Sequence, residues 1–112
     1  MNGRSVFKHA VTKFPAVIME ALDAAGVDKK EIKLVVPHQA NLRITEAVAN
    51  RLDLELHKVV YSNIHKYGNT TSASIPIALY EAMQEGKINR GDTIVVASFG
   101  AGFTWGASVI KW

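Results

Sequence analysis

Cysteine is absent from all 112 residues, which removes disulfides, thiolate metal sites and a cysteine nucleophile from this chain. The absence also fits a reducing compartment. No apolar run approaches the roughly 20 residues of a membrane span, and Met1-Asn2-Gly3-Arg4 does not open a signal peptide. The expectation is a soluble, cytoplasmic protein with no membrane contact. Blocks of one charge are also missing: 13 basic and 10 acidic residues are interspersed, and Lys29-Lys30 is the longest purely basic run. With a net charge of +3 and no reader motif, nucleic acid is not an expected partner. The basic balance suits an acidic protein, a phosphorylated ligand or a plain solvated surface.

Several catalytic patterns are lacking as well. No serine sits in a nucleophile elbow and no paired carboxylates straddle an obvious cleft. His57 and His65 are too far apart for a local metal motif, so no metal is expected. They read as surface or packing residues, as does His9, and Trp105 and Trp112 read as packing residues. There is no internal repeat or low-complexity stretch.

What is present is the composition of a globular unit, 48% hydrophobic and 21% charged. A chain of this length buries about two-thirds of its unfolded surface, enough for one domain over residues 1–112 with little stability to spare. Val6, Phe7, Ala10, Val11, Phe14, Val17, Ile18, Ala21, Leu22 and Ala25 recur at helical spacing, and Gly26 is the stop. Pro15 predicts a kink or a second helix starting there. Ile32-Lys33-Leu34-Val35-Val36-Pro37 reads as a buried strand. A helix follows from Leu42 to about Leu52, capped by Asn41, and then a strand around Lys58 to Ser62. Tyr67-Gly68-Asn69-Thr70-Thr71-Ser72 is a turn cluster leading into a helix through Ile75, Leu79 and Met83, which Gly86 stops. Thr93 to Ser98 and Thr104 to Lys111 read as antiparallel neighbouring strands around a Gly100-Ala101-Gly102 turn.

Alternation of this kind predicts an α/β fold with a mixed, mostly parallel sheet and helices on its faces. Ligands in such sheets gather at the C-terminal ends of the strands, where His38, the Gly68-Asn69 turn and the Gly100-Ala101-Gly102 turn all fall. His38 is either an imidazole facing a pocket or one that satisfies the next helix. Asn69 suits a helix cap, and an amide at the positive end of a helix also suits developing negative charge. The glycine turn is either a plain hairpin or a set of backbone N–H groups open to a ligand. From the residues alone, the chemistry is that of a hydrogen-bond-donating, electrophilic site.

Val36-Pro37-His38-Gln39-Ala40-Asn41-Leu42-Arg43-Ile44 resembles β-ketoacyl-acyl carrier protein synthase III. Tyr67 to Pro76 and Phe99 to Ala107 repeat the likeness in the same order, and similarity extends from about Asn2 to Trp112. The resemblance implies a thiolase-like fold, here its C-terminal half lacking the first strand. That strand is expected at the centre of the sheet, so a gap should separate Ile32–Pro37 from Thr93–Ser98. On this view the chain is one part of a condensing enzyme, and by itself it should not condense.

The chemistry implied is transfer of an acyl group from acyl-coenzyme A to a cysteine in the N-terminal half, then decarboxylation of malonyl-acyl carrier protein and Claisen condensation. These are substrates; no cofactor is implied. His38 and Asn69 match the catalytic donors to the malonyl thioester oxygen. The backbone N–H of Ala101 matches an oxyanion-hole position where glycine is commoner. Asn41 matches a residue of the supporting network, and Arg43 one that docks acyl carrier protein. A homodimer is implied for the intact enzyme. The alternatives are a related polyketide or quinolone-type synthase, or a non-catalytic partner subunit.

Overall fold

A computed structural model describes residues 3–39, 41–70, 73–100 and 104–112. Gly3–Ala25 forms one helix, α1. Its buried stripe is Ala10, Phe14, Ile18 and Leu22, spaced by four and each exposed by 1% or less. Such spacing keeps side chains on one helical face. Of the two expectations for Pro15, a second helix starting there is not what forms: the proline lies inside the single helix α1. The proline removes the N–H that would bond the Val11 carbonyl, at about 3 kcal/mol relative to alanine. Burying each large apolar chain of the stripe returns about 1.5–3 kcal/mol, so packing outweighs the local defect. Gly26, at φ +67°, ends the helix, and Val27 N–H returns to the Leu22 carbonyl at 3.0 Å.

Asp28 caps a single 3-10 turn, Lys29–Glu31, which delivers the chain into β1, Ile32–Pro37. Only Lys33 of that strand is exposed. Helix α2, Leu42–Leu52, and the one-turn helix α3, Ile64–Tyr67, precede α4, Ser74–Gln84. Strands β2, Thr93–Gly100, and β3, Thr104–Lys111, complete the order. Neither α3 nor its stop at Gly68 was expected, because Tyr67 reads from sequence as part of a turn.

The sheet runs β1-β2-β3, with β1 parallel and β3 antiparallel to β2. The expected gap is therefore not there: Val35 faces Val95 and Val36 faces Val96 as direct ladder partners. Strands apolar on both faces suit a central position, and β2 has a bonded neighbour on each side. A register shift between Ile32 and Leu34 inserts one extra residue in β1. It turns Ile32 to the same side as Val35, with α1 and α2, while Leu34 and Val36 join Ala78 and Ala82 of α4. Three layers result: α1 and α2, the sheet, and α4.

The strand expected around Lys58 to Ser62 is reduced to a bridge between Val35 and Val60. Val35 N–H bonds the Val59 carbonyl at 2.7 Å and Tyr61 N–H bonds the Val35 carbonyl at 2.8 Å. Beyond that rung, side-chain hydrogen bonds replace the ladder. Trp105 packs its ring edge-on against Phe14, centroids 5.3 Å apart at 74°, and joins β3 to α1. Among the described residues, no helix is long and apolar enough to cross a membrane.

Phe14 is therefore the side chain whose loss should cost most, since it touches both the helix stripe and β3. Phe14→Ala is expected to remove about 3–5 kcal/mol of stability, read as a lower urea midpoint with unchanged slope.

Candidate active site

The parallel ladder ends with His38 N–H donating to the Ala97 carbonyl at 2.8 Å. The backbone of His38 thus belongs to the sheet, while its half-buried ring lies past the C-terminal end of β1. There its Nδ1 meets Ser74 Oγ at 2.6 Å. Ser74, 1% exposed, is the first residue of α4, so the helix meets the strand end through this pair. Burial lowers the His38 pKa below the ordinary 6.5, because a charged imidazolium loses hydration there.

Gln39 supports the same place from below. Its side chain is 1% exposed, and Nε2 donates to the Pro37 carbonyl at 2.7 Å and the Tyr61 carbonyl at 3.3 Å. Its Oε1 accepts from Asn63 N–H at 3.1 Å. One amide thereby ties the end of β1 to the 61–63 segment, as buried polar groups must be tied. Neither Gln39 nor Ser74 stood out in the sequence, since a buried polar residue is recognised by its partners and all of these but Pro37 lie 22 to 36 positions away. The only local signal is the adjacency of Gln39 to His38.

Asn41 caps α2 as expected: its Oδ1 accepts from Arg43 N–H at 2.8 Å. Arg43 is exposed at the start of α2 and lays its guanidinium over the Phe7 ring, 5.5 Å from the centroid. Asn69 is exposed; the cap position of α4 is Ala73, and Asn69 lies upstream of it, just after Gly68 at φ +66°. Ala101 lies outside the described residues. The pairing of Gly100 with Thr104 marks the C-terminal end of β2, which lies at the same sheet end as the C-terminal end of β1 and His38.

A shallow hollow of about 290 Å³ beside Ile75, Ala97, Ser98 and Gly106 adds apolar and small-residue surface near that end. Among the described residues, its lining carries no titratable side chain. His57 and His65 are exposed, and no cluster of metal-ligating side chains occurs among the described residues.

Residues 22–112 match the family described as 3-oxoacyl-[acyl-carrier-protein (ACP)] synthase III C terminal. A curated β-ketoacyl-[acyl-carrier-protein] synthase III of Clostridioides difficile is 53% identical over 112 residues, which are 100% of this chain and 34% of that relative. The solved synthase III of Thermus thermophilus superposes with a TM-score of 0.96 at 50% identity, covering 100% of this chain and 35% of the other. A priming β-ketosynthase from a polyketide pathway has a TM-score of 0.91 at 35% identity, covering 98% and 33%. The chain spans about a third of the length of the curated relatives it matches.

Two outcomes test this geometry. Gln39→Leu keeps the volume but strands the Asn63 N–H and the Pro37 carbonyl, at about 1–3 kcal/mol for each group left unpaired; denaturant unfolding should register the sum. His38 should titrate below 6.5 when its ring protons are followed by NMR. Because the folded state binds that proton more weakly than the unfolded chain, the His38 contribution to stability is complete above pH 6.5. It is lost as pH falls from there through the folded-state value.

Proposed function

The chain belongs to the 3-oxoacyl-[acyl-carrier-protein] synthase III family, and on that premise we propose that it supplies the electrophilic half of a decarboxylative condensing site. Its fold is thiolase-like, and residues 1–112 act as the C-terminal condensing domain. The cysteine-bearing N-terminal half is its partner. In the complete enzyme, that cysteine takes an acyl group from acyl-coenzyme A, and the acyl-enzyme then meets malonyl-acyl carrier protein.

Loss of carbon dioxide leaves the bonding pair of the broken C–C bond on the malonyl α-carbon, delocalised onto the thioester oxygen. His38 and Asn69 donate hydrogen bonds to that oxygen. The enolate carbon attacks the acyl-cysteine carbonyl, whose oxygen is received by the Ala101 N–H, and the cysteine thiolate departs from the 3-oxoacyl product. The observation that carries this reading is the state of His38: a ring anchored at Nδ1, a backbone anchored in the sheet, and a pKa lowered by burial. A neutral, immobile donor stabilises an enolate without handing over its proton, and a preorganised donor of this kind is worth about 3 kcal/mol of barrier.

The same reading gives the remaining residues their parts. Asn41 holds the start of α2 beside the site, and Arg43, exposed above Phe7, offers a cation to the acidic carrier protein. The intact enzyme is a cytoplasmic homodimer that works without a cofactor. Identity of 53% and 50% over the whole chain to two β-ketoacyl-[acyl-carrier-protein] synthases III supports malonyl-acyl carrier protein as extender.

In the complete enzyme, His38→Ala and Asn69→Ala should each slow malonyl-acyl carrier protein decarboxylation by about 10²–10³-fold, while acylation of the cysteine remains measurable. Equal loss of both half-reactions would overturn the assignment. Residues 1–112 alone should form no acetoacetyl-acyl carrier protein; product from them would overturn the division of labour, and failure of malonyl-acyl carrier protein as extender would favour the polyketide-type reading.

A further inference from the structure

We propose that Ser74 is a positioning residue that holds His38 as the neutral tautomer with its proton on Nε2, through the chain Gln39 N–H to Ser74 Oγ–H to His38 Nδ1. The inference rests on the reading of His38 as a donor to the enolate oxygen.

The directions of these hydrogen bonds follow from counting protons. A hydroxyl has one proton and two lone pairs, and a backbone N–H only donates. Gln39 N lies 3.2 Å from Ser74 Oγ, so the oxygen is the acceptor in that contact. Ser74 then has its proton to give, and Nδ1 of His38 stands 2.6 Å away. An Nδ1 that accepts is unprotonated, and a neutral imidazole with an unprotonated Nδ1 carries its hydrogen on Nε2. The opposite tautomer would make Ser74 accept twice and leave its own proton to find another acceptor. At 1% exposure, solvent does not provide one.

The surroundings act in the same sense. Ser74 opens an 11-residue helix, α4, whose positive end disfavours an imidazolium beside it. Ala78 and Ala82 of that helix are fully buried, which fixes the axis on which Ser74 rides. Gln39, the other end of the chain, is locked by its three side-chain hydrogen bonds. The hydroxyl therefore has little freedom to turn away, and the Nε2–H is presented as a fixed donor.

The test is ¹⁵N NMR of the complete, histidine-labelled enzyme without substrate, with the His38 signals assigned by their loss in His38→Ala. The expected spectrum at neutral pH has a pyridine-type Nδ1 and a pyrrole-type Nε2. In Ser74→Ala the two shifts should move toward each other as the tautomers mix, and Ser74→Thr, which restores the hydroxyl, should restore the separation. In parallel, Ser74→Ala should lower kcat for malonyl-acyl carrier protein decarboxylation by about 10- to 100-fold, with KM and cysteine acylation little changed. A pyrrole-type Nδ1 in the wild-type spectrum overturns the proposal whether or not any variant folds. So does a Ser74→Ala enzyme with unchanged shifts and rate. If His38→Ala decarboxylates normally, the donor role itself fails, and the tautomer result separates that failure from this one.

Discussion

The last rung of the β1-β2 ladder, His38 N–H to the Ala97 carbonyl, is the contact on which the site's geometry depends. It fixes where the sheet stops and the chemistry starts. One residue earlier, Pro37 still lies in the strand and has no N–H to donate. One residue later, Gln39 has left the ladder and spends its amide on three backbone groups. His38 alone has its main chain in the sheet and its ring outside it. The bulge at the start of β1 belongs to the same constraint, because a strand buried on both faces must deliver the right side chains to each layer before it reaches the histidine.

The 61–63 segment gripped by Gln39 is itself anchored, though by charge. Tyr61 Oη lies 2.7 Å from Glu81 on α4 and 2.8 Å from Glu85 at its C-cap. Burial, followed by those two carboxylates, pushes its ionisation far above the ordinary phenol range. One phenol proton serves only one carboxylate at a time, and Lys66, 3.5 Å from Glu81, and Lys87, 3.7 Å from Glu85, offset the pair. Burial raises the Glu81 pKa, but hydrogen bonds from Tyr61 and Tyr67 and the charge of Lys66 outweigh it and leave the pKa lowered. Exposed ion pairs contribute little individually. The phenol contacts with Glu81 and Glu85 hold Tyr61 against α4, the same helix whose first residue holds the His38 ring.

Local periodicity made much of this legible in the sequence. The α1 stripe, the Asn41 cap, the Gly26 stop and the β2-β3 hairpin are each written within a few consecutive residues, because their hydrogen bonds and buried faces are local. Strand order is not, since Ile32–Pro37 is equally apolar whether its neighbour is β2 or another strand; the gap expected beside it was an error of topology. Pro15 shows the opposite case: its local preference allows a second helix to start there, but tertiary burial of Phe14 and Ile18 keeps one helix running through it. His38 was conspicuous as an imidazole after a strand, whereas Ser74 looked like one more small residue in a serine- and threonine-rich turn. Thirty-six positions separate the two, and only the folded chain shows that they meet.

That meeting also bears on Asn69. The chain from Asn69 to Ser74 is short, so with roughly 3.3–3.6 Å per residue the Asn69 Cα stays within about 18 Å of the Ser74 Cα. Ser74 is fixed twice, as the first residue of α4 and as the partner of His38. Two donors that share one oxygen must be correct relative to each other before either is correct relative to the substrate, and a displacement of 1 Å is enough to cost about 10²-fold in rate. On the proposed reading, a single buried hydroxyl orients one of those two donors, His38.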